Sequence, residues 1–497
     1  MTQTNPAPDG AATASTERRR WIALYVLCAG MLMIALDVTI VNVALPSIQT
    51  DLGFSSANLA WLVNAYLIAF GGFLLLAGRV GDLWGHRRLF LAGLAVFTTA
   101  SLACGLADSQ GLLVAGRFVQ GIGGAMTSAV ILGMIVRMFP EPAGQAKAMG
   151  VFGFVASGGG SIGLLAGGVL TQSISWHWIF FVNVPIGLVT AALALRYVEG
   201  GAGIGLRRGA DGLGAILVTG ALMLAVYTIV GPAAEDGWGS ARVLRFVTIT
   251  AVLFAAFLAR EATARQPLIP LRIFRSRDLA GGNAIQGLVV AGMFGNFFLG
   301  ALYLQRVLGY SPLQIGFAFL PTTLVMGTMS LRFADRLTMR FGPRRTLLGG
   351  LSLAALGLVL FAQAPVDGRY VVNVLPMMLL LALGIGGCFP ALLMSAMGGV
   401  APEDAGLASG LVNTTAQVGG ALGLAVLATV SATRSAGLLR AGRTPADALV
   451  SGYHLAFLLA AALLLVAIGV VAFVLTPPAG SAARPEMERI AELDGVA

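Results

Sequence analysis

Residues 21–46 read WIALYVLCAGMLMIALDVTIVNVALP. This segment is long enough to cross the hydrocarbon core of a bilayer, which takes about 20 consecutive apolar residues in a helix. Arg18, Arg19 and Arg20 precede it, and its single charged side chain is Asp37. A cleavable signal sequence has a shorter apolar core of about 7–15 residues. We therefore predict that the segment stays in the protein as a membrane helix.

Similar apolar segments recur along the whole chain. Of its 497 residues, 57% are hydrophobic and 11% are charged, whereas soluble domains carry about 25% charged residues. Hydropathy predicts about fourteen spans. With the N-terminus inside, the cytoplasmic segments hold about 23 of the 31 lysines and arginines, as the positive-inside rule requires. Because an even number of spans returns the chain to the same side, we predict that both termini are cytoplasmic.

The predicted spans divide into groups of six, two and six. The loop 78–88, between spans two and three, has a weaker counterpart at 334–345, between spans ten and eleven, which indicates two repeated halves. The predicted fold is an all-α membrane protein of two six-helix bundles with two linking helices. Its divisions are a cytoplasmic tail (1–20), a first bundle (21–198), a linker with two additional spans (199–278), a second bundle (279–475) and a cytoplasmic tail (476–497).

Other classes of protein need residues that this sequence lacks. A P-loop requires Gly-Lys-Ser/Thr, and the one lysine, Lys147, lies between two alanines. A membrane enzyme needs clustered titratable groups and a channel needs repeated filter residues, and neither pattern occurs. Cys28, Cys104 and Cys388 lie in apolar spans, without metal-ligand spacing. The net charge of +9 is dispersed between spans, which argues against nucleic acid. We expect a secondary transporter, with no metal or other cofactor.

Asp37 is the only one of the 22 acidic residues that hydropathy places well inside a span. A charge at that depth costs at least about 2.5–3.5 kcal/mol and indicates a functional role by default. Arg117, on the fourth span, falls at a similar depth, so the two side chains can meet. Two interpretations stay open: a permanent ion pair that fixes helix packing, or a site that binds and releases a proton.

Several spans also carry uncharged polar side chains. These either face a central cavity, where they offer oriented hydrogen bonds, or bond to neighbouring helices. The sequence alone does not decide between the two. The candidates are Asn42, Asn64, Tyr66, Gln120, Gln286, Asn296, Asn413 and Gln417.

Four motifs in order resemble those of the fourteen-helix drug:proton antiporters of the major facilitator superfamily. The segment 36–46, LDVTIVNVALP, resembles the first-helix signature of that family. The segment 78–88, GRVGDLWGHRR, resembles its loop motif, and 117–124, RFVQGIGG, resembles its fourth-helix motif. The glycines of 163–168, followed by SWHWIFFVNVP at 175–185, resemble its fifth-helix antiporter motif and the loop after it.

The resemblance implies proton-coupled export of small amphiphilic compounds by alternating access, in a multi-pass protein of the cell membrane. The expected partners are protons, membrane lipid and a lipophilic or cationic substrate, with the proton-motive force as energy source and a monomer as working unit. The implied site residues are Asp37 and Arg117 for proton coupling, Gly78, Asp82, Gly85, Arg87 and Arg88 for a gating loop, and Gly163, Gly167 and Gly168 for the antiporter motif.

The sequence departs from the family pattern at a few positions. Leu83 and His86 stand where the loop motif often has arginine, which reduces the ionic contacts expected there. Leu164 stands where the antiporter motif usually has proline, which removes an expected bend. Import, and transport of one specific metabolite or natural product, therefore stay open as alternatives.

Overall fold

The computed structural model describes residues 10–55, 58–201, 211–265, 267–268, 271–396 and 405–475. The predicted C-terminal tail and the first nine residues of the predicted N-terminal tail lie outside these ranges. The regular elements of the first half are α1 (Gly10–Leu52), α2 (Trp61–Trp84), α3 (His86–Gly105), α4 (Gln110–Met138), α5 (Pro142–Ser173), α6 (Trp178–Phe181) and α7 (Asn183–Tyr197).

The rest of the chain is also helical where it is described. The linker contributes α8 (Gly212–Val230), α9 (Pro232–Asp236) and α10 (Ala241–Thr263). The second half comprises α11 (Arg277–Arg306), α12 (Pro312–Thr328), α13 (Ala334–Phe341), α14 (Pro343–Phe361), α15 (Leu375–Ala396), α16 (Ala405–Arg440) and α17 (Pro445–Phe473). Single π-helical turns extend α12 and precede α15, at Met329–Phe333 and Tyr370–Val374.

Twelve helices among the described residues are long and apolar enough to cross a membrane. Two shorter apolar stretches, Asn58–Leu74 and Ile162–Ser173, lie largely in α2 and in α5. The prediction of an all-α membrane protein is confirmed. The count of fourteen spans and the cytoplasmic position of both termini stay predictions.

Each half is held together by its own helix contacts. In the first, α1 packs on α5 and α7, and α4 packs on α2 and α3. In the second, α11 packs on α16 and α17, and α14 packs on α15 and α17. The halves meet where α2 contacts α16 and where α5 contacts α12. The linker helix α8 lies against both α2 and α16, whereas α10 packs mainly on α8.

The closest contacts between helices occur at glycines, where a side chain would block the approach. A Cβ added at Gly163 would lie 2.1 Å from Thr39 Oγ1 and 2.8 Å from the Leu36 carbonyl oxygen. A Cβ added at Gly168 would lie 2.8 Å from Leu313 Cα, across the boundary between the halves. Such contacts matter in a bilayer because apolar side chains gain little by leaving lipid, so close packing has to supply the attraction between helices.

Candidate functional site

The carboxylate of Asp37 is enclosed by hydrogen-bond donors. Arg117 Nη1 lies 2.5 Å from Asp37 Oδ2 and forms a salt bridge with it. Gln120 Nε2 donates to Asp37 Oδ1 over 2.7 Å, and Asn183 Nδ2 donates to the same oxygen over 3.0 Å. Asp37, Gln120 and Asn183 are fully buried and Arg117 is 1% exposed. The negative charge is therefore balanced by protein groups alone.

The guanidinium group of Arg117 has further partners on α2 and on its own helix, α4. Its Nε donates to the Leu62 carbonyl oxygen over 3.0 Å, and its Nη1 donates to Gln120 Oε1 over 2.6 Å. The guanidinium carbon lies 4.4 Å from the centre of the Tyr66 ring and 5.8 Å from that of Phe180. Carbonyl oxygens and ring faces both attract a cation, so Arg117 is held in place independently of Asp37.

Ser101 closes the network on its far side. Its hydroxyl oxygen accepts hydrogen bonds from Gln120 Nε2 over 2.6 Å and from Asn183 Nδ2 over 3.1 Å. The network thus joins α1, α3, α4 and α7, all of which belong to the first half. Each helix contributes one or two side chains, so a change in the charge of Asp37 is felt by four helices at once.

Sequence reasoning missed two members of this network. Asn183 carried a weak signal, because it is a polar residue inside the apolar run at 178–187. Ser101 carried none, because a serine in a membrane helix is unremarkable in a single sequence. Both residues were recognisable only once α7 was packed against α1 and α3.

The uncharged polar candidates have different environments. Asn42 donates to the Val38 carbonyl oxygen of its own helix over 3.1 Å, which is a local contact. Gln417 lies where α16 meets α2, and Asn413 is exposed. Four candidates carry buried polar atoms that find no hydrogen-bond partner in the described part of the chain: Asn64 Oδ1 and Nδ2, the Tyr66 hydroxyl, Gln286 Oε1 and Asn296 Oδ1.

The loop after α2 is fastened to the last helix of its own half. Gly85, at φ 106°, ends α2, and Arg87 Nη2 donates to the Leu195 carbonyl oxygen at the end of α7 over 2.5 Å. The other predicted gating residues show no such contact in the described structure. Arg88 is exposed, and a Cβ added at Gly78 would meet nothing within 4 Å. The side chain of Asp82 lies outside the described residues.

The second half repeats this arrangement. Gly342, at φ 78°, ends α13, and Arg344 Nη2 donates to the Ala472 carbonyl oxygen near the end of α17. Glycine favours the positive φ that both turns require. The guanidinium groups sit at helix C-termini, where carbonyl groups are unpaired and the helix dipole favours a cation. The two arginines therefore join α3 to α7 in the first half and α14 to α17 in the second.

The antiporter-motif glycines lie on two faces of α5. Gly163 faces Thr39 and Leu36 of α1, as described above. A Cβ at Gly167 would lie 2.8 Å from the Ile40 carbonyl oxygen, also on α1, whereas Gly168 faces α12. Leu164, in place of the usual proline, brings its carbonyl oxygen to 2.7 Å from a Cβ built on Gly316 of α12. This part of α5 is thus in close contact with the Asp37 helix and with the other half.

Comparison with known proteins places this geometry in a family. The sequence model of the Major Facilitator Superfamily matches residues 27–424. The puromycin resistance protein pur8 of Streptomyces alboniger is 39% identical over 463 residues, which cover 92% of each chain. The cephamycin export protein CmcT of Amycolatopsis lactamdurans is 39% identical over 417 residues, covering 84% of this chain and 86% of that protein.

A solved structure shows the same fold. The inward-facing, unoccupied crystal structure of a bacterial homologue of the human lysosomal transporter Spinster superposes with a TM-score of 0.66 at 16% identity. The alignment covers 91% of this chain and 96% of that one. The helical fold, the apolar spans and the sequence match agree. This chain belongs to the major facilitator superfamily and is a multi-pass membrane transporter, not an enzyme.

Proposed function

We propose that this protein exports small amphiphilic compounds, antibiotics among them, across the cell membrane in exchange for protons. Its relatives are named for resistance to puromycin and for export of cephamycin. The observation that carries the proton coupling is the fully buried Asp37 carboxylate, which faces Arg117 and two amide donors. A titratable pair enclosed in this way is a means of storing a proton in the membrane.

The proton step changes the charge of the network from neutral to positive. With Asp37 ionised, its charge and that of Arg117 cancel. When Asp37 binds a proton, the cation of Arg117 loses its counter-ion. It keeps only its contacts with the Leu62 carbonyl, Gln120 and the Tyr66 ring. This imbalance weakens the hold of α4 on α1, and we take it as the signal that favours rearrangement of the half. Each pH unit supplies about 1.36 kcal/mol and each 100 mV about 2.3 kcal/mol to drive the cycle.

The proposed topology has fourteen spans with both termini in the cytoplasm. It is supported by the long helices α2 and α5, which stand where the sequence predicts spans two and five, and by the excess of basic residues in alternate loops. With this topology the end of α5 and the start of α12 are extracellular. The contact between Leu313 N and Gln172 Oε1, at 3.3 Å, then helps to close the outer side.

The proposed cycle assigns roles to the two glycine and arginine motifs. Gly163, Gly167 and Gly168 allow α5 to shift against α1 and α12 as the halves rock. Arg87 fastens α3 to α7, so that the half moves as one body. The loop that carries it, with Asp82 and Arg88, is proposed to gate the cycle. The single chain, surrounded by lipid, is the proposed working unit.

Proton flux in everted vesicles with an acidic interior tests this function. We expect puromycin or a related amphiphile to dissipate the pH gradient with the wild-type protein and not with Asp37→Asn. Asp108→Asn, which changes an exposed acid in the loop between α3 and α4, is the matched control and should behave like wild type. Asp37→Glu keeps the carboxylate, so it should retain part of the activity. Such activity would show that the loss in Asp37→Asn is not merely a folding defect. Dissipation by Asp37→Asn at the wild-type rate would contradict the assignment.

A further inference from the structure

We propose that the substrate carries no net charge and is recognised by amide and hydroxyl groups at the contact of α2, α11 and α16, not by a carboxylate. This inference rests on the proposed function, since it concerns the substrate of the same exporter. It narrows the expectation of a lipophilic or cationic substrate that the family resemblance implies.

The helix α16 lies between α2 of the first half and α11 of the second, and we call its contacts with these two helices the seam. A Cβ added at Gly71 of α2 would lie 2.9 Å from Gln417 Cβ and 3.5 Å from the Thr414 carbonyl oxygen on α16. A Cβ added at Gly419 of α16 would lie 2.5 Å from the Gly287 carbonyl oxygen of α11. The contact of α2 with α16 therefore lies at the boundary between the halves, which a transported molecule has to pass. The contact of α11 with α16 borders on the same stretch of α16 inside the second half.

Some of these polar atoms are buried with their hydrogen-bonding capacity unused. Gln286 is 7% exposed, and its Oε1 finds no partner among the described residues, nor does the buried Thr414 Oγ1. Asn64 is fully buried, and neither its Oδ1 nor its Nδ2 finds a hydrogen-bond partner among the described residues. It lies two helical turns before Gly71, on the same face of α2. An unsatisfied buried polar group costs about 1–3 kcal/mol. A ligand with amide, carbonyl or hydroxyl groups would supply the missing partners.

The seam offers no counter-ion for a cation among the side chains that the structure describes. Asp37 is enclosed by Arg117, Gln120 and Asn183, on the side of α1 that faces α4 and α7. The other buried acids, Asp211 and Glu261, lie at the ends of α8 and α10. The remaining acidic residues of the sequence flank the predicted spans. Bringing an unpaired cation out of water is costly, so uncharged molecules are favoured.

The charge of the substrate fixes the electrical character of the cycle. One carboxylate carries one proton inward, and an uncharged molecule leaves, so each cycle moves one net charge. A potential of about 100 mV, interior negative, then supports a gradient of about 50-fold without any pH difference. Exchange of one proton for a monovalent cation moves no net charge, and a potential alone would not drive it.

Binding to the purified full-length protein tests the recognition. The probes are puromycin at about pH 6, where its amine is protonated, its uncharged N-acetyl derivative, and ethidium, a permanent cation. We expect the N-acetyl derivative to bind at least tenfold more tightly than ethidium. Gln286→Leu and Gln417→Leu should each weaken its binding about tenfold, whereas Gln363→Leu, at an exposed glutamine beyond α14, should leave it within twofold. Thermal unfolding of each variant reports on folding separately.

An isosteric variant provides the sharpest outcome. Gln286→Glu adds a carboxylate at the seam without a change of shape, so ethidium affinity should rise about tenfold while that of the N-acetyl derivative falls. Tighter binding of ethidium than of the N-acetyl derivative by the wild type would overturn the proposal. So would unchanged binding of that derivative by both leucine variants.

Transport in proteoliposomes separates this proposal from the proposed function. A potassium diffusion potential imposed with valinomycin, at equal pH, should drive uptake of N-acetylpuromycin against its gradient. Asp37-dependent transport of ethidium driven by a pH gradient, with no transport of the uncharged probe, would overturn the substrate class and leave the proton-coupled exporter standing. Absence of proton-dependent transport of every probe would overturn the proposed function itself.

Discussion

In the first half, α1 and α4 bury Asp37 against Arg117, whereas the corresponding pair in the second half, α11 and α15, buries no charge among its described residues. The α11 helix buries the uncharged amides Asn283, Gln286 and Asn296 instead. One architecture thus encloses an ion pair on one side and neutral hydrogen-bonding groups on the other. The difference suggests a division of work, with the proton held in the first half and much of the substrate recognition in the second.

The largest effect should follow removal of one member of the ion pair. Arg117→Met leaves Asp37 buried without its cation, which costs about 3–5 kcal/mol. We expect a marked fall in the thermal unfolding temperature in detergent and loss of proton-driven transport. The double variant Asp37→Asn/Arg117→Met should recover most of the stability, although not the transport. Equal stability of the single and double variants would show that the two charges are not coupled.

A smaller effect on thermal stability should distinguish two buried asparagines, one in each half, when each is replaced by leucine. Asn183→Leu removes a hydrogen bond to a charged group, worth about 1.5–3 kcal/mol, whereas Asn296→Leu replaces an amide whose oxygen has no partner in the described structure. Asn183→Leu should therefore lower the unfolding temperature clearly and Asn296→Leu little or not at all. A larger loss for Asn296→Leu would contradict the view that the first half depends more on its polar network.

Replacement of a closely packed glycine by alanine should reduce stability by a similar amount in the two halves. Gly163→Ala would bring a methyl group to 2.8 Å from the Leu36 carbonyl oxygen, and Gly419→Ala to 2.5 Å from that of Gly287. Overpacking of this kind costs about 1–3 kcal/mol, so both variants should lose stability and transport rate. Gly437→Ala, where a Cβ meets nothing within 4 Å, is the control. Tolerance of Gly419→Ala alone would show that the second half adapts more readily.

The smallest predicted effect concerns the two equivalent arginines. Arg87→Ala and Arg344→Ala each remove a cation from a helix C-terminus, which is worth about 0.3–1 kcal/mol. We expect small and similar losses of thermal stability, with lysine in either place restoring part of the loss. If Arg87→Ala stops transport while Arg344→Ala does not, the first loop has a gating role beyond fastening α3 to α7.

Much of the helical framework was predictable from the sequence. Long apolar segments admit few alternatives in a bilayer, because every backbone polar group has to be bonded within its own helix. A charge as deep as Asp37 was conspicuous because an ionisable side chain is costly inside a membrane span. Ser101 and Asn183 stood out far less, since a single small polar residue costs little in a membrane helix and gives at most a weak signal until its neighbours are known.

The sequence by itself determined the membrane class, the helices, the repeated loops and the ion pair as a hypothesis, because hydropathy and burial of charge act locally along the chain. Only the tertiary structure decided which side chains surround Asp37 and that these belong to α3, α4 and α7 of the same half. It also decided that Arg87 and Arg344 reach the ends of α7 and α17. Those contacts depend on how helices distant in sequence pack, and packing in lipid is set by shape complementarity, which a linear pattern does not encode.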